Sequence, residues 1–311
     1  MTKSASATDC EATFLQLLKH RPRVAWPTVA LCASFVTLFA TEITLGAMHL
    51  VPSWAAISMG VVASYMSYTI LHEAAHANIG TNKRLNEWVG RIGLLGCSIT
   101  PFFANYRFVH LAHHRYVNDK KLDPDLFCGS GPAWTLPLRW ALMDVAYIAA
   151  YFRLGAYRAG SKAEKREYWL AFGFTTVLLL TITVTGFWPQ FLTFYFLPTR
   201  IAMVLLAFTF DYLPHYPHDV HINDNAFRAT SNRVGMEWLL TPLLIGQNYH
   251  LSHHLYPSIP FYRYRRIWLA RKSFHQANGP ASVPPFGLHP SPLGQDRAFP
   301  IYSTDGGIEV P

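Results

Sequence analysis

Charge is scarce in this 311-residue chain. Asp, Glu, Lys and Arg make up 14% of it, where soluble domains carry about 25%. Hydrophobic residues reach 51%, aromatic residues 15%, and mean hydropathy is +0.14. That balance excludes an ordinary soluble fold and indicates a membrane protein with a substantial polar part. Cysteine is scarce too. Cys10, Cys32, Cys97 and Cys128 form no Cys-x-x-Cys pair, which points to neither a zinc ribbon nor a disulfide framework. Residues Met1 to Arg23 are polar and basic and lack a small-residue cleavage site after a short apolar core, so they do not read as a signal peptide.

Histidine is abundant, and its spacing recurs. His250-Leu251-Ser252-His253-His254 repeats the pattern of His110-Leu111-Ala112-His113-His114, and His72-Glu73-Ala74-Ala75-His76 adds a pair four residues apart. On a helix, residues at i, i+3 and i+4 share one face, so each cluster aims its imidazoles at one point. One such pair alone is more often a surface or hydrogen-bonded feature than a ligand set. Three clusters together point to a metal site assembled from distant segments. Imidazole suits iron, zinc, copper and nickel, and no thiolate accompanies it to favour a soft metal.

The clusters sit where apolar runs end. Trp26 to Leu50 is long enough to span a bilayer, which takes about 20 residues. Val51-Pro52-Ser53 makes a turn, and Trp54 to Leu71 leads straight into His72. The expected third and fourth spans are 168–188 and 190–213, joined by Gly186-Phe187-Trp188-Pro189, with Pro198 and Arg200 breaking the first half of the fourth. Between the two pairs, Ile92 to Ala104 is too short to span and reads as interfacial or re-entrant. Trp134 to Phe152 reads as one helix lying in the membrane interface. Residues 1–25 form an N-terminal segment, 26–275 the membrane domain, and 276–311 a Pro/Gly-rich tail, expected to be poorly ordered beyond about Asn278. Of 26 Lys and Arg, four precede the first span, 13 fall in residues 72–167 and eight follow residue 213. The two turns at the other ends carry none. By the positive-inside rule both termini, the central loop and all three clusters are cytoplasmic.

Eight or more imidazoles exceed the three protein ligands of a catalytic zinc and suit two metals with room for exchangeable ligands. An all-histidine site keeps iron non-haem and redox-active, and a dinuclear centre activates dioxygen. At a membrane surface its substrate is a lipid, and the product a hydroxylated, desaturated or ketonised lipid. His72-Glu73-Ala74-Ala75-His76 also fits the His-Glu-x-x-His motif of zinc peptidases, where Glu is the base. An intramembrane zinc peptidase leaves both His-x-x-His-His clusters unexplained. In the favoured reading Glu73 orients an imidazole. A metal transporter needs His and carboxylates inside the spans, and only Glu42 and His49 approach that.

Three such clusters around two apolar hairpins resemble the membrane fatty acid desaturase and hydroxylase superfamily, over roughly residues 26 to 270. Within it, Gly246 to His250 and His253 to Tyr264 are similar to cyanobacterial-type carotenoid β-ring hydroxylases. Asp211-Tyr212-Leu213-Pro214-His215-Tyr216-Pro217-His218, Val117-Asn118-Asp119 and Asp123-Pro124-Asp125 point the same way. A Leu-Pro-His stretch before the last cluster also resembles the carotenoid ketolases. One departure is Glu73, where many relatives have Asp.

The resemblance implies an all-α integral membrane protein: four transmembrane helices in two hairpins, with a cytoplasmic cap carrying a histidine-rich di-iron site. It implies a non-haem di-iron oxygenase that uses O2 and external electrons to hydroxylate the β-ring of a carotenoid. A fatty acyl desaturase is the alternative and a carotenoid ketolase the next. The family carries an extra histidine between the last span and the third cluster, here His215, with His218 the fallback. The expected iron ligands are His72, His76, His110, His113, His114, His215, His250, His253 and His254. Glu73, Asp119, Asp211 and Asn248 are the expected partners behind them, and no catalytic residue is expected beyond the ligands. Expected partners are the bilayer, a carotenoid or acyl chain and a separate electron carrier such as ferredoxin, because no haem domain is recognisable. No nucleic acid is expected.

Overall fold

The computed structural model describes residues 7–292; the outer parts of the expected N-terminal segment and tail lie outside the described residues. Helices dominate. α1 (Ala7–Lys19), α2 (Trp26–Ala47), α3 (Ser53–Ala75), α4 (Lys83–Leu94) and α5 (Phe103–Tyr116) come first. The short α6 (Leu136–Ala141), α7 (Met143–Arg153) and α8 (Ala156–Ala159) lead to α9 (Lys162–Thr185). A last long helix, α10, runs over Trp188–His215. α11 (Glu237–Leu243), α12 (His250–Leu255), α13 (Tyr264–Ala270) and α14 (Lys272–Ala277) follow.

Of these, α2, α3, α9 and α10 are long and apolar enough to cross a membrane. α2 starts with proline in its first turn, where the missing N–H had no helical partner to lose. α9 starts at Lys162, ahead of the apolar run. Ser161 and Glu164 form a reciprocal capping box there, so polar residues prolong the helix by capping rather than by burial. α9 ends at Gly186 in the left-handed conformation, φ 75°, a backbone state glycine adopts without Cβ strain. Where α3 crosses α10, a Cβ on Gly60 would lie 2.9 Å from the Pro198 Cβ. The missing side chain lets the two backbones approach.

The prolines of α10 do not act as their residue type predicts. Pro198 does not break the helix, and Pro214, whose ring disfavours helical geometry at the residue before it and should end the helix near Tyr212 or Leu213, does not do so. Wide π-helical turns at Leu192–Phe196 and Ala207–Tyr212 precede each proline. Each turn inserts a residue, so the proline falls in the first turn of the next helical segment and needs no N–H donor. Leu213 stays helical, φ −62°, ψ −42°, and the helix carries on to His215. Arg200 makes a bidentate pair with Asp144 of α7 at 2.8 and 3.0 Å and donates to the carbonyls of Ala141 and Cys97. A span-embedded cation is thereby paired and satisfied within the fold.

The stretch 134–152, expected as one interfacial helix, is broken into α6 and α7 at Leu142. Trp134, Leu138, Val145 and Phe152 remain exposed along it. One apolar core joins α2 to α5, α7 and α10. A second gathers Phe14 and Leu17 of α1 against Tyr264, Ile267 and Trp268 of α13, and Arg271 pairs with Glu11 at 3.1 Å.

The expected disorder beyond residue 278 is corrected as far as residue 292. Strand β1 (Asn232–Arg233) pairs in parallel with β2 (Ala281–Val283), which pairs antiparallel with β3 (Ser291–Pro292). Ala281 and Val283 are buried, and Arg233 donates to the carbonyls of Pro284, Pro285 and Gly287 at 2.9, 3.2 and 2.8 Å. Composition reports local propensity; here a distant strand and a guanidinium supply the partners.

Candidate metal centre

Each histidine cluster lies on a helix end. His72 sits in the last turn of α3, and His76 is its C-cap. His110, His113 and His114 occupy the C-terminal part of α5, and His250, His253 and His254 lie on α12. His215 closes α10. The i, i+3, i+4 spacing puts each trio on one helix face, and the four helix ends converge.

They converge into two donor sets. His72, His76, His110, His114 and His253 form one, and His113, His215, His250 and His254 the other; within each set the nearest donor atoms all lie within 4.8 Å of one another. Nε2–Nε2 separations are 2.9 Å for His72–His253, 2.7 Å for His76–His110 and 2.8 Å for His253–His114 in the first set. In the second they are 3.0 Å for both His215–His250 and His254–His250. Ligands held at about 2.0–2.1 Å from a metal ion lie about 3–4 Å apart, so these imidazoles already stand close to ligation spacing. The sets are adjacent because His113 and His114, and His253 and His254, are chain neighbours split between them.

The backs of three rings are held by acceptors. His113 Nδ1 donates to Asp123 at 2.9 Å, with Asp125 at 3.5 Å. His250 Nδ1 donates to Gln247 at 3.0 Å. His253 Nδ1 lies 2.9 Å from the Tyr264 hydroxyl, which reaches Glu73 at 3.3 Å. An Nδ1–H donated outward leaves the Nε2 lone pair facing inward, which is the tautomer a metal takes. Burial holds His76, His110, His114, His250, His253 and His254 well below the usual histidine range, and so in the neutral, ligating form. His113 differs: burial lowers it, but Asp125, Asp123 and Asp211 together push it up to about 9. Nine converging imidazoles, one backed directly by a carboxylate and one through Tyr264, fit cations of borderline type.

The expected partners fared unevenly. Glu73 is beside the site, 3.7 Å from His72 Nδ1. It accepts from Phe261 N and Tyr264, so it faces the back of the ring and not the donor face where a peptidase base would stand. Asp119 is corrected: it accepts from Lys121 N and Leu122 N in a surface turn, and Asp123 and Asp125 take the place beside His113. Asn248 is corrected as well. It is buried without a side-chain partner, and its neighbour Gln247 reaches His250. The helical i, i+3 rule picks out Gln247, so that signal was in the sequence. Asp211 is buried and 3.8 Å from the Cys128 thiol, with no hydrogen bond to an imidazole. His218 belongs to neither set. Its N–H donates to His215 O at 2.7 Å, and its ring lies against Gly129.

On the side from which α3 and α10 arrive lies a cavity of about 40 Å³, lined among others by Tyr68, Asn105, Tyr106, Tyr147 and Asp211. Tyr68 precedes His72, and Tyr106 precedes His110, by one helical turn. The Tyr106 ring stacks on His110 at 5.6 Å.

A model of the family described as fatty acid desaturase matches residues 48–282. A dihydrorhizobitoxine desaturase of Bradyrhizobium elkanii is 26% identical over 232 residues, 66% of this chain and 62% of the relative. A beta-carotene ketolase of a Paracoccus species is 26% identical over 208 residues, 63% of this chain and 71% of the ketolase. A ferredoxin-type sn-1 acyl-lipid omega-3 desaturase of a Synechocystis species is 25% identical over 237 residues, covering 66% and 63%. This chain thus spans less than two thirds of the length of the first and third of these. With four membrane-length helices and histidine clusters able to hold metal ions, the chain belongs to the fatty acid desaturase family, within the membrane desaturase and hydroxylase superfamily of oxidoreductases.

Proposed function

We propose that the protein is a non-haem di-iron oxygenase that hydroxylates the β-ring of a carotenoid. The observation that carries the metal half is the pair of adjacent donor sets, five and four imidazoles, with His72, His76 and His215 at the ends of the membrane-length α3 and α10. The nine histidines are the ligands: His72, His76, His110, His114 and His253 for one iron, and His113, His215, His250 and His254 for the other. Two irons, when bound, supply the dioxygen chemistry that cleaves an unactivated C–H bond. The chain's own groups do the rest. Asp123, Gln247 and Tyr264 fix ring tautomers, and the buried helix ends keep water from the donors.

The ring-oxidising half is supported by the similarity to beta-carotene ketolases and by the tyrosine-rich wall of the cavity. An acyl-lipid desaturase is the second reading, favoured by the relatives that carry that name. A zinc peptidase is disfavoured, since its base would have to be Glu73, which lies behind His72.

The positive-inside argument orients both termini and the donor sets to the cytoplasm, where the helix ends form a cap over the spans. An acidic carrier such as ferredoxin is the electron donor, drawn to a chain of formal charge +8. The name of one desaturase relative includes ferredoxin. The test is expression in cells that accumulate β-carotene, with pigments and fatty acids analysed together. Ring-hydroxylated pigment is expected; new double bonds in acyl chains with unchanged pigment overturn the carotenoid reading.

A further inference from the structure

The cavity beside the donors holds polar groups that the metal site does not use. Asn105 is 6% exposed and Tyr106 4% exposed. The Asn105 Oδ1 is buried without a hydrogen-bond partner, the Tyr106 hydroxyl faces that of Tyr68, and all three residues line the cavity. A buried amide oxygen without a partner is costly, and a cavity of about 40 Å³ is large enough for a small polar group. Ser98 and Thr100 add hydroxyls to the same wall. A hydrocarbon end alone would leave the Asn105 oxygen unsatisfied.

The chemistry of the missing partner follows from the wall. An amide both donates and accepts, as does a phenol, so one hydroxyl satisfies Asn105 and Tyr106 together. A carboxylate fits badly, because Asp144 and Asp211 also line the cavity and among the described residues the only cation paired with either is Arg200, committed to Asp144. Resting on the proposed function, we infer that this cavity is a subsite for a hydroxyl group on the lipid substrate, held by Asn105 and Tyr106. Asn105 and Tyr106 lie five and four residues before His110, about 6–7.5 Å along α5. The oxidised C–H bond therefore lies within about a ring's width of the hydroxyl.

The test measures equilibrium binding to the purified full chain in detergent, using matched probes. One pair is β-carotene and its 3-hydroxylated derivative; the other is a stearoyl lipid and its 12-hydroxystearoyl counterpart. The wild type is expected to bind the hydroxylated member of one pair ~10-fold or more tighter, as sites built to hydrogen-bond a hydroxyl do. Asn105→Leu should bring the two affinities of that pair together. Tyr106→Phe, which keeps the ring stacked on His110, should reduce the preference several-fold and guards against a misfolded leucine variant. Preference within the acyl pair only, with no carotenoid bound, removes the carotenoid reading but leaves the subsite standing. Equal affinity within both pairs for wild type overturns the subsite, as does a preference that both variants retain.

Discussion

Asp123→Ala is the most telling perturbation of the metal site. The carboxylate accepts from His113 Nδ1 at 2.9 Å, from Asn118 N at 2.7 Å and from Asp125 N at 2.9 Å, and both side chains of the His113–Asp123 pair are almost fully buried. Truncation orphans three donors, each costing about 1–3 kcal/mol. Asp125 recovers part of that, since its Oδ2 lies 3.5 Å from the same nitrogen. Loss of a carboxylate behind a ligating imidazole costs about 10–100-fold in metal affinity. The two sets do not share this loss equally. His113 belongs to the set of four imidazoles, which falls to three well-oriented donors, while the set of five keeps all its own. Metal content after dialysis against a chelator, measured by elemental analysis, should fall from about two ions per chain to about one. Asp119→Ala, in the surface turn, should keep about two. The reasoning is refuted if Asp123→Ala holds both ions at the wild-type chelator midpoint, or if Asp119→Ala loses metal to the same extent.

His215→Ala should abolish turnover and lower bound iron, while His218→Ala leaves measurable activity; iron and product assayed at matched membrane expression decide it, and the reverse pattern moves the ligand to His218. His275 tests the packing under α12. Burial pushes it down to about 4, it is bonded to Trp268 O at 2.9 Å and Tyr256 Oη at 2.7 Å, and its unfolded value is near 6.5. The folded form resists the proton, so stability is full above pH 6.5 and drains as pH falls toward 4, by about 3 kcal/mol at most. The Tm advantage of wild type over His275→Gln should therefore shrink across that window; a constant gap contradicts the assignment. Tags at both termini should be cytoplasmic and a tag within 51–53 or 186–190 on the opposite face, as protease protection reads it. Termini on opposite sides would mean an odd number of spans.

Much of the site is legible because its histidines obey helical spacing. His110, His113 and His114, and again His250, His253 and His254, announce one helix face each, and the apolar runs before His72 and His215 show where helices end. Spacing cannot say which imidazoles share a metal. His113 and His114 are chain neighbours yet point into different sets, because successive residues on a helix are rotated by about 100°. That division, five and four, emerges only when α3, α5, α10 and α12 meet. Asp123 and Asp125 reach His113 through a loop whose path no local signal fixes, so Asp119, equally acidic and nearer in sequence, was the plausible choice. Pro198 and Pro214 read as helix breakers one residue at a time, but π-helical turns re-register α10 around them. The chain beyond residue 278 reads as disordered from its Pro and Gly content, yet Arg233 and the strand at 232–233 hold it to residue 292. Sequence determined the candidate donors, the apolar spans and the helix faces, since those rest on residue type and period. Tertiary structure decided which imidazoles share a donor set, the ring partners and the order of the tail, since those rest on contacts between residues far apart in the chain.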